Sequence, residues 1–581
     1  MLKPLRSYFF KFKGLQAPLE KYLFPLILLV YPLFGVNQGL DITDTTYGLS
    51  NYEFLPLIDP MWGISTFLGN VVGRFIMHFP GAGTMLGMNV YCSLFVSIVA
   101  LLSYYVLQKW MPGWMIFIGE FIAISLCWCP RVILYNYLTY LFFTFSILCL
   151  LLGMFEWDRQ NLFLMLAGIC LGLNVMVRFP NITEVSLILV LWFYQFLTRD
   201  GFVSTIKKTF ICIGGFVLGA AIPFLAITLM YGPTAYIDMI FGLFGMTEGA
   251  ADYTAGGMIS SVVSAYITTL KEMLIMIPCV AAGVIMFNIL PGRYVIVKKI
   301  LYIAGLLVLV RYYFANGVFT RNYQYYDSMF QAAMMFIIIA LVLAVIGSTG
   351  VLNGSIQEQT LAFTSLMVIL ITPLGSNNYT FPLVNNLFFV APITLWLFRR
   401  FMCRLGEMDF NFPWQAMVTM VIVVLVIQGA VFHMNFSFFD GDDGEKRDSH
   451  VVIPKASSMV TTSSNADSVN ELYHALEELE LLDKKAIFYV GVPGLSYIFD
   501  IEPAINTVWP ELDSYSTAKF RDQMENVPKT LDELPVLIIG PNQTEYATLK
   551  DKNDILMDYI DSNDYNKVFE SDRFMVYTVS D

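Results

Sequence analysis

Residues 22–54 read YLFPLILLVYPLFGVNQGLDITDTTYGLSNYEF. An apolar run from Tyr22 to Val36 leads straight into a segment carrying Asp41, Asp44 and Glu53. Ionised groups at the mouth of a membrane span are costly unless a cavity or a partner keeps them solvated, so an acid-bearing loop in this place marks a functional candidate. The whole chain supports the membrane setting. Of 581 residues, 57% are hydrophobic and 14% charged, against a usual charged share of about 25%. Lys3, Arg6, Lys11, Lys13 and Lys21 precede the first run, and no small-x-small cleavage site follows it. This predicts an uncleaved first span with a cytoplasmic N-terminus.

Beyond the acidic loop, Leu55 to Pro80 is interrupted by prolines, glycines, Asp59 and Arg74. It reads as short amphipathic helices along the outer interface. Apolar runs near the roughly 20 residues needed to cross a bilayer then recur. They are Thr84–Leu107, Gly113–Pro130, Val132–Phe155, Leu162–Val177, Ile182–Leu197 and Thr209–Met230. Met273–Leu290, Ile300–Phe314, Ser328–Gly347, Thr360–Pro373, Leu383–Phe398 and Trp414–Met434 continue the series. The expected fold is an α-helical polytopic membrane protein of about thirteen transmembrane helices. Threaded alternately, these runs put 16 basic residues inside and six at outer ends, namely Arg74, Arg131, Arg178, Lys271, Arg311 and Arg321. That bias supports the topology. An odd number of spans puts the acidic loop and the C-terminal tail on the same outer face. Tyr231 to Gly257, with Tyr236, Asp238, Glu248 and Asp252, reads as an external loop able to close over a site, or simply as a surface loop.

Residues 440–581 hold 28 acids and 12 bases, net −16. The domain organisation read from this break is a multi-span part at 1–439, a polar linker at 440–468 and a small extracytoplasmic α/β domain at 469–581. In that domain Asn470–Leu482 and Asp551–Ile560 read as helices, and Ala486–Val490, Pro535–Ile539 and Phe574–Val579 as strands. Gly491-Val-Pro-Gly494 resembles a ligand loop but lacks G-x-G-x-x-G spacing, which favours a plain strand-to-helix turn. The acidic balance argues against nucleic acid. Seven of the eight cysteines lie in apolar segments and none in the tail, so no disulfide framework is readable. The four histidines lack ligand spacing, and no metal is entered. Asn181, Asn378, Asn435 and Asn542 fit the N-glycosylation pattern.

The acid-x-x-Tyr core Asp44 to Tyr47 resembles the first external loop of the C-type glycosyltransferases. This superfamily takes sugars from polyprenyl-phosphate carriers and includes protein O-mannosyltransferases and aminoarabinose transferases. The resemblance extends to the layout of the chain: a cytoplasmic start, an acidic first loop, interfacial helices, many spans and an external C-terminal domain. It implies transfer of a sugar, with inversion, from a polyprenyl-phosphate carrier to an extracytoplasmic glycan, lipid or protein at the plasma membrane. Asp44 would match the catalytic acid. The second external turn departs from many members, with Cys129-Pro130-Arg131 where an acid often stands, so no second catalytic acid is read there.

Such a transfer needs a carboxylate to take the acceptor proton and positive charge to stabilise the leaving phosphate. Asp44 and Asp41 are the candidates for the first; the alternative for Asp41 is a helix cap. Arg131 and Arg178 run against the positive-inside bias and are the phosphate candidates, with snorkelling to headgroups as the alternative. Tyr47 and Arg321, the latter in an outer aromatic rim, complete the candidate substrate residues. Beyond the lipid-linked sugar no cofactor is called for, while a divalent metal is left open. The competing class is a transporter or flippase of lipid-linked or polysaccharide intermediates. That would call for polar residues through mid-membrane, where Glu120 and Glu184 are nearly the only acids.

Overall fold

The computed structural model describes residues 16–156, 158–249, 255–376, 378–407, 414–441, 445–541, 546 and 548–579. The N-terminal Lys3, Arg6, Lys11 and Lys13, the acid Asp252 and the Asn542 pattern lie outside the described residues, as does the side chain of Glu248. Every apolar run named above contains helix. Among the described residues seven helices are long and apolar enough to cross a membrane: Met85–Leu107, Leu134–Phe155, Gln160–Val177, Phe179–Thr198, Phe202–Tyr231, Phe330–Ser348 and Ala416–Asn435. An eighth is counted if Gly256–Met273 and Met276–Ile289, bent by 43° at their junction, form one broken span. The remaining runs are shorter or more charged helices: Phe24–Val30, Gly113–Leu126, Val295–Ala315, Ile356–Ile371 and Val390–Glu407. The chain is a helical multi-pass membrane protein with a small sheet region near its C-terminus.

Two segments differ from the sequence reading. The stretch Tyr231–Gly257 carries a helix, Ala235–Gly249. Its Met239, Ile240 and Leu243 pack on Met61 and Ile64 of the interfacial helix Pro60–Ser65, and this contact orders the segment. The helix expected to start at Asn470 begins at Ser463, inside the stretch read as linker. Thr462 caps it by accepting the Asn465 N–H at 3.3 Å, a Ser/Thr-rich N-cap signal that composition alone reads as linker. Val451, Ile453 and Met459 of the same stretch are buried.

The tail sheet has the order β3-β4-β6-β5, with β3 Ala486–Tyr489, β4 Val536–Ile539, β5 Tyr565–Glu570 and β6 Met575–Val579. Strands β3 and β4 are parallel, and the other pairs antiparallel. A two-stranded ribbon, β1 Arg447–Ser449 with β2 Thr461–Thr462, precedes it. Helices Ser463–Glu478, Thr517–Thr530 and Leu549–Ser562 accompany the sheet.

The tail sits on the acidic loop. One apolar cluster contains Leu40, Ile42, Leu49 and Tyr52 of that loop together with Val492, Leu495, Tyr497 and Ile498 of the tail. The loop and the tail therefore lie on the same side.

Candidate functional site

The acidic loop folds as a helix, Asp44–Glu53. Asp41, buried, organises its start. One carboxylate oxygen accepts the Thr43 N–H at 2.8 Å and the Thr43 hydroxyl at 2.5 Å; the other accepts the Thr45 N–H at 2.8 Å and its hydroxyl at 2.7 Å. These contacts occupy both oxygens of Asp41 with local donors and give it the capping geometry expected of an acid before a helix. Asp44, three residues on, is half-buried, and its carboxyl accepts no hydrogen bond among the described residues. Burial, and then the neighbouring charge of Asp41, push Asp44 up to about 7. Burial also pushes Asp41 up, with its four donors acting against it. The two acids thus share a sequence context and a shift in the same direction, but only Asp41 has donors acting against it.

The helix places Tyr47 edge-on to Trp509 of the tail, with ring centroids 5.1 Å apart. The Tyr47 hydroxyl lies within electrostatic reach of Asp44, Asp59 and Glu511, and burial pushes it up to about 12. Tyr52, at the far end of the helix, donates its hydroxyl to the Val132 carbonyl at 2.6 Å and accepts the Leu134 N–H at 3.0 Å. That pair of bonds fixes the loop helix to the turn at residues 129–134.

The turn itself is built around Asn385, whose side-chain oxygen accepts the N–H groups of Trp128 and Cys129 at 2.9 and 3.2 Å. Arg131 donates one amino group to the Phe34 carbonyl at 3.0 Å, while its other, Nη1, is buried without a hydrogen-bond partner among the described residues. A cavity of about 40 Å³ lies here, with Gln38, Asp41, Asn89, Cys129, Arg131 and Ser437 among its lining residues. Arg178 caps the helix Gln160–Val177. Its guanidinium lies 6.0 Å from the Tyr135 ring centre and donates to the Gly375 carbonyl at 3.0 Å. The Cys129 thiol is within electrostatic reach of both Asp44 and Arg178.

The structure therefore gathers Asp41, Asp44, Tyr47, Arg131 and Arg178 around the junction of the first loop and the second turn. Arg321 is exposed, with its guanidinium 5.7 Å from the Phe314 ring centre, and no contact joins it to this group among the described residues. Its neighbour Tyr326 is the rim residue within electrostatic reach of Asp44. The pattern at Asn181 is closed to modification in the folded chain. Asn181 is buried and its amide donates to the Thr139 hydroxyl at 2.8 Å and the Asn174 carbonyl at 3.0 Å.

Sequence reasoning missed Trp509, Glu511 and Asn385. Glu511 is 1% exposed. One of its oxygens accepts the Gly491 N–H at 2.6 Å, the other has no hydrogen-bond partner among the described residues, and burial pushes the group up to about 7. A buried acid in V-W-P-E carries no local signal, because what makes it notable is its electrostatic reach to Tyr47, more than 400 residues earlier in the chain.

No protein-family model and no curated protein sequence matches the chain. Among solved structures, the oligosaccharyltransferase of Archaeoglobus fulgidus in complex with Zn and sulfate is similar with a TM-score of 0.46 and 13% identity, over 89% of this chain and 67% of that one. ArnT from Cupriavidus metallidurans in the apo state is similar with a TM-score of 0.42 and 10% identity, over 95% of this chain and 96% of that one. The same protein bound to undecaprenyl phosphate gives 0.42 and 9%, over 97% of each chain. An oligosaccharyltransferase and ArnT are what this chain is similar to.

Proposed function

We propose that the chain is a membrane glycosyltransferase that moves a sugar from a polyprenyl-phosphate carrier to an extracytoplasmic acceptor with inversion. Asp44 is the general base in this reading. Its carboxylate takes the proton from an acceptor hydroxyl as that oxygen forms a bond to the anomeric carbon. The bond from that carbon to phosphate oxygen breaks on the opposite face, and the electron pair leaves with the polyprenyl phosphate. Arg131 and Arg178 hold the phosphate, for which a planar guanidinium offers paired donors. Tyr47 lines the acceptor side. No metal or cofactor other than the lipid-linked sugar enters the reading. Thirteen spans, a cytoplasmic N-terminus and a plasma-membrane location complete it.

What supports it above all is the contrast between Asp41, whose carboxylate is met by four donors, and Asp44, whose carboxyl is unengaged and held near neutrality. A base works best with a pKa close to the operating pH, and an unengaged carboxylate is free to meet a substrate. Asp44→Asn keeps the shape and removes the base. With a labelled polyprenyl-phosphate sugar and membrane extract as acceptor, transfer is expected to fall about a hundredfold or more, with donor binding unchanged and the protein folded. Full transfer by a folded Asp44→Asn protein would return the transporter reading to first place.

A further inference from the structure

The Gly491-Val-Pro-Gly494 turn follows β3 and reaches the start of the Asp44 helix. The Gly494 N–H donates to the Ile42 carbonyl at 2.9 Å. A Cβ on Gly494 would stand 1.6 Å from the Thr46 hydroxyl oxygen and 2.8 Å from the Ile42 carbonyl oxygen, so the two backbones meet with no room for a side chain. One helical turn further, the Ser50 hydroxyl donates to the Pro493 carbonyl at 3.3 Å and receives the Ser496 hydroxyl at 2.7 Å. The turn is braced from behind: Gly491 has φ +71°, a conformation that favours glycine, and its N–H is held by buried Glu511. Ile42 and Thr46 flank Asp44 on either side. Because the Asp44 carboxyl has no hydrogen bond of its own, its place is set by the backbone that these contacts hold.

We propose that the Gly491–Gly494 turn of the tail is the positioning element for Asp44, acting chiefly through Gly494. The structural arm of this inference stands alone, and its activity arm rests on the glycosyl-transfer reading. The two glycines that made this segment resemble a ligand loop are explained by docking: one makes the turn and the other permits backbone contact.

Gly494→Ala puts a methyl group into Thr46 and forces the turn off the helix. Hydrogen exchange of the full chain in detergent is expected to speed up about tenfold or more over residues 40–54. Protection over Leu549–Ser562 is retained and reports a folded tail. Ser496→Ala, which leaves the turn backbone intact, gives a smaller rise over 40–54. In the transfer assay, Gly494→Ala lowers kcat about a hundredfold with donor KM within about twofold of the parent. The midpoint of its pH profile moves down towards the ordinary carboxylate range as Asp44 gains water. Parental exchange over 40–54 in Gly494→Ala overturns the proposal. So does faster exchange with unchanged kcat in a background where Asp44→Asn is inactive. If Gly494→Ala also exposes 549–562, parental exchange over 40–54 in Ser496→Ala is the overturning result. An active Asp44→Asn protein instead removes the transfer reading and leaves the exchange arm as the test of the clamp.

Discussion

Asp41 and Asp44 are chemically identical side chains three positions apart, and they differ in the number of donors each one meets. At Asp44 the folded state holds the proton more tightly than the unfolded chain, because its pKa is raised from 3.8 to about 7 by burial and by Asp41. The native state then binds more protons than the unfolded state between those values, so stability falls as pH rises from about 4 to 7 and levels off above. Asp44→Asn removes that dependence. The variant is expected to melt at a higher temperature than the parent at pH 8, and the difference should vanish near pH 4. Parental transfer should rise with pH through about 7, as the base ionises. Melting curves and transfer rates over pH 4 to 8 check both signs, and an Asp44→Asn melt below the parent's at pH 8 would contradict the electrostatic account. At this scale the sequence was legible where position itself carried the signal. Asp44 and Arg131 stand out because charge at a span mouth is unusual, whereas Glu511 is one acid among many in a tail of net charge −16.

At the scale of elements, apolar length was the most readable property, since each candidate span contains helix. Contacts between elements were not readable, because no periodicity encodes them. The helices Gln160–Val177 and Phe202–Tyr231 cross closely enough that a Cβ at Gly172 would lie 2.1 Å from the Phe216 carbonyl oxygen. Small residues permit such approach within a membrane. The tie between the loop helix and the second turn is of another kind. Tyr52 is 2% exposed and its hydroxyl serves one acceptor and one donor. Tyr52→Phe leaves the Leu134 N–H and the Val132 carbonyl without that partner, a loss of about 1–3 kcal/mol. The Leu134 N–H also approaches the Val132 carbonyl at 2.8 Å, which places the expected loss in the lower half of that range. Tyr52→Phe should therefore melt earlier than the parent while donor binding at low temperature persists. An unchanged melting temperature would mean that the two elements are held together by packing alone.

For the whole molecule the open question is what holds an acidic tail to an acidic loop. Charge is arranged to help at two points. Lys455 meets Glu53 and Asp500, each at 2.7 Å, and Lys519 meets Asp59 at 2.9 Å, so two of the tail's few bases face acids of the loop and its interfacial helices. These pairs are partly exposed, and pairs of that kind are worth about 0–1 kcal/mol each and weaken with salt. The apolar contact is of a different order. Leu40, Ile42 and Leu49 of the loop and Val492, Leu495 and Ile498 of the tail are all at most 3% exposed, and a fully buried aliphatic side chain contributes about 1.5–3 kcal/mol. Burial should therefore dominate docking, with charge setting register. A protease site inserted after Asp443 allows the tail to be cut from the multi-span part without removing any residue. After cleavage the tail is expected to stay with the membrane fraction through washes in about 1 M salt, where screening within a few ångströms removes most of the surface electrostatics. Urea at concentrations that weaken apolar burial should release it, and release should coincide with loss of transfer and with faster exchange over residues 40–54. A tail that leaves in salt alone would show that the ion pairs carry the interface and that the shared apolar cluster contributes little.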